Sequence, residues 1–462
     1  MKNNLVTLLF LLQLEEYDEH RTKNWLKNHD LKNLHEIKKT LNWTIKAKVL
    51  IITAVLFNSF INNQYEAVFW ANKLINIPQR MLTFFIVLFA KIILIFHPKL
   101  IIIGITGSYG KTSVKEILNS ILETKYRVLK TPENYNTPLG IAKTIIKSLR
   151  NQEILLVEMG AYRQGDIKTI CDFVKPGIGI ITNIGKQHLE RFGSLEKIIS
   201  TKSELFDSLP PEGFAVTNAD NKFCLLAVKK LNIYNVLVSV NPKADYDNKI
   251  GNNLCAFNIE TLISGSYFKL KIDGEVFHFK TKLLGIHNIR NILLAIAVAR
   301  KMEIENQEIV KAVSNLSPIP HRLQIIQGNN SSIIIDDAYN ASPDGSKAAC
   351  DVLTSIHAPR KIVITPGLVE LGSEQEKENE ILGSEIAKCA DYLLIVGKTN
   401  KNSLKRGYLS GRKTSTHNNN QTSHNEGLIE CEDLNEATAK LQEIVLPKSI
   451  ILFENDLPDQ YI

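Results

Sequence analysis

The chain has 462 residues, 44% of them apolar and 22% charged, with 24 Gly and 15 Pro. These figures exclude a disordered, collagen-like or coiled-coil chain and fit about three domains. The net charge of +7 is modest and partly clustered near the start, which argues for a local basic surface and against a nucleic-acid-binding body. The six cysteines are scattered without a CxxC pair, so the expectation is reduced thiols rather than a disulfide framework.

Residues 1–97 are expected to form a helical region. Met1–Leu12 is apolar but lacks a basic leader and a cleavage site, and reads poorly as a signal peptide. Residues 15–48 carry Arg21, Lys23, Lys27, Lys32, Lys38, Lys39, Lys46 and Lys48. Two apolar runs follow, giving candidate membrane helices over about 44–61 and 81–97. Each is short against the roughly 20 residues that span a bilayer. Two buried or interfacial helices of a soluble domain are the other reading. As a membrane hairpin, the polar 62–80 segment would be an external turn. The excess of Lys and Arg before the first run would then place both ends in the cytoplasm.

Residues 98–318 read as alternating strands and helices, hence a doubly wound parallel sheet of P-loop type. Lys99–Ile105 is a β-branched run that enters Thr106-Gly-Ser-Tyr-Gly-Lys-Thr-Ser113, followed by apolar residues at helical spacing. A strand, a glycine-rich turn and a helix make a phosphate loop. Gly107, Ser108, Tyr109, Gly110, Lys111, Thr112 and Ser113 are its candidate nucleotide-binding residues. Lys111 is the mobile cation and the Thr112 hydroxyl a candidate Mg²⁺ ligand. Ile105 stands where the longer G-x-x-x-x-G-K-T form has its first glycine, so the match is to the shorter TGxxGKT form. Ile154–Val157 is a buried strand ending in Glu158, a carboxylate at the carboxyl end of a parallel strand beside a phosphate loop. Such a hard oxygen suits Mg²⁺. Asp-Gly within 266–285 marks a hairpin. Ser317–Pro320 reads as a hinge, and 319–462 as a second, Rossmann-like α/β domain. Its Asn/Ser/Lys-rich stretch 399–426 reads as a mobile loop.

Nine ordered blocks resemble the Mur ligases, the ATP-dependent amide-forming enzymes of peptidoglycan synthesis. They are ITGSYGKTSVKEIL (105–118), TPENYNTPLGIA (131–142), VEMGAYRQGDI (157–167), TNIGKQHLERFGS (182–194), TKSELF (201–206), LLGIHNIRNILLAIAVA (283–299), PHRLQII (320–326), DDAYNASPDG (336–345) and TPGLVELG (365–372). The EMG and DDAYN blocks favour the MurF-type branch. The resemblance implies ATP, two Mg²⁺ ions, and addition of D-alanyl-D-alanine to a UDP-N-acetylmuramoyl tripeptide through an acyl phosphate. It implies Thr112, Glu158, His188 and Lys202 as metal ligands, with Lys202 carrying a carbamate, and a catalytic set of Lys111, Lys202, His188 and Asn136. It places Asn134 and Asn136 near the γ-phosphate and the substrate carboxylate. It gives Asn288, Asn291, Arg322 and Asp337 a grip on ATP from two domains. The residues also admit plainer roles: turn chemistry for Asn134 and Asn136, an N-cap for Asn288, surface cations for Lys202 and Arg322. The family's uridine-binding N-terminal domain has no visible counterpart, which leaves open another acceptor carboxylate, another Mur-type amino-acid or polyglutamate-adding ligase, or a non-catalytic ATP-binding membrane scaffold. The expectation is a monomer at the cytoplasmic face of the membrane, with a cytoplasmic enzyme as the alternative.

Overall fold

The structure is a computed structural model that describes residues 2–34, 40–133, 135–229, 231–241, 252–339, 341–414 and 427–457. It divides into two units, residues 1–88 with 457–462, and 89–456. Asn134, Lys38, Lys39 and part of 399–426 lie outside the described residues.

The first unit is helical: α1 (Lys2–Leu14), α2 (Glu19–Asn28), α3 (Ile45–Ile61) and the start of α4 (Gln64–Ile95). Leu8, Leu9, Leu11 and Leu12 of α1 are buried against Leu50 of α3 and Val68 and Phe69 of α4. The opening apolar stretch is therefore a core helix of this unit. Asn62 closes α3 in the left-handed conformation, its N–H donating to the Asn58 carbonyl. Only Asn62 and Asn63 separate the two helices. The expected polar turn over 62–80 is thus corrected: α4 runs unbroken through Pro78 for 32 residues. Lys73 and Arg80, expected in that turn, lie within the helix. Among the described residues, α4 alone is long and apolar enough to cross a membrane, and 6% of its most apolar window is buried. Phe84, Phe85, Leu88, Phe89 and Ile92 are exposed along it.

The second unit holds two sheets. The first has β1 (Ile101–Thr106), β2 (Val128–Lys130), β3 (Ile154–Glu158), β4 (Ile178–Ile181), β5 (Phe214–Asn218), β6 (Tyr234–Ser239), β7 (Asn252–Leu262), β8 (Gly265–Ile272) and β9 (Glu275–Thr281). Its order is β2-β3-β1-β4-β5-β6-β7-β8-β9. The strands run parallel as far as β7, and β7-β8-β9 form an antiparallel meander. The expected hairpin is there, turning at Asp273 and Gly274, both at positive φ. It is one strand wider than the sequence reading, so the sheet is mixed. Strands β3, β4 and β5 are buried along their whole length, on both faces, which the runs of Ile, Val and Leu in β3 and β4 allow. Helix α5 (Lys111–Leu122) and the helix Ile286–Lys301 supply most of the covering apolar surface.

The second sheet contains β10 (Gln324–Gln327), β11 (Ile333–Asp337), β12 (Lys361–Thr365), β13 (Tyr392–Val396), β14 (Leu428–Cys431) and β15 (Ile450–Glu454), in the order β10-β11-β15-β12-β13-β14. All pairs are parallel except β10 with β11. The expected loop over 399–426 is corrected as far as it is described. Residues Lys401–Thr414 form a helix despite a polar sequence. Leu404 and Tyr408 are fully buried, and the helix Gln375–Cys389 approaches so closely that a Cβ on Gly407 would lie 1.9 Å from the Glu380 carbonyl oxygen. Two anchors and a glycine face bind this helix, a pattern that composition averages away.

Candidate active site

β1 lies between β3 and β4, so the carboxyl ends of three neighbouring strands open onto one place. There β1 hands over to Gly107–Gly110 and α5 begins. No side chain caps the start of α5, which leaves its first N–H groups for an anion. Gly107 has φ +152°, and a Cβ there would lie 2.0 Å from Thr182 Oγ1. Gly110 has φ +82°, and its Cβ would lie 2.9 Å from Asn291 Oδ1. Ser108 fixes the loop from beneath: its N–H donates to the Asn183 carbonyl at 2.7 Å, and its hydroxyl donates to the Gly185 carbonyl and accepts from the Gly185 N–H, both at 3.0 Å. Thr182 donates to the Tyr109 carbonyl. Ser113 is buried in the first turn of α5.

Lys111 folds back on this loop, donating to the Gly107 carbonyl at 2.7 Å and the Ser108 carbonyl at 3.3 Å. Burial pulls its amine down to about 8; Glu158 opposes the shift and Arg322 adds to it. Glu158 ends β3 with both oxygens engaged. Oε1 accepts from the Thr112 hydroxyl at 3.1 Å, and Oε2 from Lys115 at 3.0 Å. Arg322 Nη2 lies 3.4 Å from Thr112 Oγ1, with its guanidinium 4.8 Å from the Tyr339 ring centre. Its Nε is buried and has no hydrogen-bond partner. A loop opened by Gly107 and closed by Gly110, a folded-back lysine and an unsatisfied guanidinium nitrogen fit a polyphosphate.

His188 sits in the left-handed region at φ 52°, and its Nδ1 is taken by Glu370, at the edge of the second sheet's loops. Arg191 donates to the other Glu370 oxygen at 2.9 Å. Burial lowers the His188 pKa, and the Glu370 carboxylate opposes that shift. Burial works against the Glu370 carboxylate, but the His188 hydrogen bond and the charges beside it outweigh this and hold it at about 2. Lys202, on the helix Leu195–Asp207, is 3% exposed. Burial, with the Lys111 charge second, pulls its amine down to about 7. Lys111 also presses electrostatically on His188, so all three share one field.

Asn136 packs against Gly160 just beyond Glu158, and its carbonyl accepts the Gly160 N–H at 2.9 Å. Asn291 lies under Gly110, 3.4 Å from Asn288 Oδ1, and Asn288 donates to the Leu284 carbonyl at 2.8 Å. Asp337 stands apart in its bonding. It accepts the Leu323 N–H at 3.1 Å and faces Glu454 across β11 and β15. Burial raises Asp337 to about 6 and Glu454 well above the usual carboxylate range. Both groups bind protons more tightly folded than unfolded, so they cost stability as pH rises from about 4 upward. Glu454→Gln keeps a donor toward Asp337 and removes one of the two titrations. Its melting temperature is expected to fall less than the parent's between pH 5 and pH 8. Parallel thermal scans check this; identical slopes would contradict it.

Four residues with clear roles here escaped the sequence reading: Lys115, Thr182, Arg191 and Glu370. Only Lys115 left a signal. It falls on the helical stripe of Leu118 and Leu122, where a lysine is out of place unless paired.

The divalent-cation fit is divided. Thr112 and Glu158 offer hard oxygens. Yet among the described residues no three His, Cys, Asp or Glu side chains converge. Among the described residues the protein's own side chains therefore form an incomplete shell.

Residues 105–299 match the Mur ligase middle domain, and residues 321–454 match the Mur ligase glutamate ligase domain. The chain belongs to the Mur ligases. Relatives include the UDP-N-acetylmuramoyl-tripeptide–D-alanyl-D-alanine ligases of Escherichia coli, 33% identical over 64% of each chain, and of Mycobacterium tuberculosis, 29% identical over 76% of this chain and 70% of that one. The aligned region spans 64% of the E. coli protein and 60% of the Bacillus subtilis one. Among solved structures, MurF from Acinetobacter baumannii has a TM-score of 0.69 at 26% identity, covering 81% of this chain and 77% of that one. MurF of Thermotoga maritima, solved with ADP, has a TM-score of 0.68 at 23% identity and covers 81% and 80%. The mixed nine-stranded sheet followed by a second α/β sheet is thus a Mur ligase architecture.

Proposed function

We propose that this Mur ligase uses ATP to join D-alanyl-D-alanine to the terminal carboxylate of a UDP-N-acetylmuramoyl tripeptide. One observation carries the reading: Lys111, Thr112, Glu158 and Arg322 meet at the mouth of a glycine loop, with His188 and Lys202 in the same field. A carboxylate does not form an amide in water because its oxygen leaves poorly. Transfer of the γ-phosphoryl group gives an acyl phosphate, which the amine attacks, releasing phosphate. The loop N–H groups and the uncapped start of α5 hold the phosphates. Lys111 exchanges its loop carbonyls for phosphate oxygens, and Arg322 brings charge from the second domain. Thr112 and Glu158 would hold one Mg²⁺, with His188 and a carbamate on Lys202 at a second; bound there, the ions neutralise charge on the transferring phosphoryl group. In this reading Asn136 meets the acceptor carboxylate, and Asn288 and Asn291 support the loop. In this reading the catalytic domains are 98–318 and 319–462, acting as a monomer.

We assign α4 to the membrane, at the cytoplasmic face where ATP is available. The support is its length, its hydropathy and its exposed Phe and Ile side chains. The protein is expected to stay in the pellet after carbonate washing; release into the wash would contradict the anchor.

The relatives' unaligned third and the helical unit at residues 1–88 favour a second reading for the acceptor, in which a different peptide carboxylate replaces the UDP-tripeptide. Purified protein incubated with ATP and D-Ala-D-Ala, with and without UDP-tripeptide, separates the two by mass spectrometry. A pentapeptide product formed only with the UDP-tripeptide supports the first. ADP release unaffected by it supports the second.

A further inference from the structure

Helix α5 carries a second lysine, one turn beyond Lys111. Lys115 is completely buried, 0% exposed, on a face otherwise built of Leu118 and Leu122. Its Nζ donates to Glu158 Oε2 at 3.0 Å and lies 3.8 Å from Glu116 Oε1. Glu116 is itself paired with Lys130. A dry ammonium group is costly unless carboxylates balance it, and Leu or Met would fill this volume without that cost. What they could not do is take hold of one oxygen of Glu158.

The two bonds to Glu158 differ in kind. Thr112 holds Oε1 at 3.1 Å through a hydroxyl that is itself a hard oxygen donor, so a divalent cation can enter between them and bind both. Lys115 is all donor and has no lone pair to offer a metal. Oε2 is therefore committed, and Oε1, beside the phosphate loop, is the oxygen left for the cation. We propose that Lys115 is a positioning residue that fixes Glu158 as a one-oxygen ligand of the nucleotide-bound divalent cation. This rests on the reading of Glu158 as a cation ligand. The outcome of such support is preorganisation: a ligand whose orientation is set before the metal arrives.

The test uses Mn²⁺ as the probe, counted by electron paramagnetic resonance in the presence of ADP on the full chain. Losing the support of a ligand typically weakens metal binding about 10–100-fold. Lys115→Met is expected to weaken Mn²⁺ binding at least tenfold, while ADP affinity in EDTA stays within about twofold. Lys115→Gln, which still donates one hydrogen bond, is expected to lie between Met and the parent, and it serves alone if the Met variant fails to fold. In a Glu158→Gln background, adding Lys115→Met should change Mn²⁺ affinity no further. Unchanged Mn²⁺ affinity in the Lys115 variants, or a further loss in the Glu158→Gln background, overturns the proposal. If Glu158→Gln alone leaves Mn²⁺ affinity intact, the reading of Glu158 falls first.

Discussion

Lys111→Ala is expected to lower kcat/KM by about 10³-fold, about 4 kcal/mol of transition-state stabilisation. Removing a neutral donor from a comparable site costs about 10²–10³-fold, and Lys111 brings a full charge to a phosphoryl group in transit. The fold should tolerate the change. Among the described residues the Lys111 amine bonds the Gly107 and Ser108 carbonyls alone, and burial already disfavours its charge, holding it at about 8. A melting temperature within a few degrees of the parent is therefore expected alongside the kinetic loss. The same amine sets a pH dependence. Below pH 8 it is charged and ready for phosphate; above pH 8 it must first take up a proton. ATP affinity should fall as pH rises through about 8, and the alanine variant should lack that slope. Steady-state ADP release and calorimetric ATP titrations at pH 7 and pH 9 check both. Activity within tenfold of the parent would remove Lys111 from the chemistry.

Lys202→Met should cost about 10²-fold or more in kcat, with stability unchanged or raised, because the methionine replaces an ammonium group 3% exposed beside the Phe192 ring. An amine at about 7 is half neutral at neutral pH. A neutral amine can attack CO₂, forming the carbamate and releasing a proton. Below about pH 6 the amine stays charged and the modification should fail. In ¹³C-bicarbonate the parent protein is expected to show one labelled carbamate carbon that the Met variant lacks. A parent without that signal, or a Met variant with full turnover, would contradict the assignment.

The phosphate loop was legible because its chemistry is local. Strand, glycines, lysine and helix are contiguous, and the structure differs by two residues at the start of β1. The place of Glu158 followed from a parallel strand ending beside that loop. The network around His188 was not legible. Its partner Glu370 is 182 residues away, and nothing in either segment specifies the other. Nor were the neighbours of Asp337: its carboxylate accepts the Leu323 amide and stands opposite Glu454, an arrangement set by strand order β11-β15. The segment 62–80 misled because polar composition suggests a turn, whereas its apolar residues Val68, Phe69 and Ala71 lie on one helical face against α1 and α3. Lys115 was passed over for the converse reason: a charged residue on an apolar stripe reads as exposed until its carboxylate partner is seen.

The central claim is that a terminal phosphate passes to a carboxyl oxygen in the pocket of Lys111, Glu158 and Lys202. The most direct measurement labels the acceptor tripeptide with ¹⁸O in its terminal carboxylate and analyses the phosphate released during ligation. One ¹⁸O in each phosphate, carried from the carboxylate through the acyl phosphate, is the expected result. Amide product accompanied by unlabelled phosphate would contradict the account.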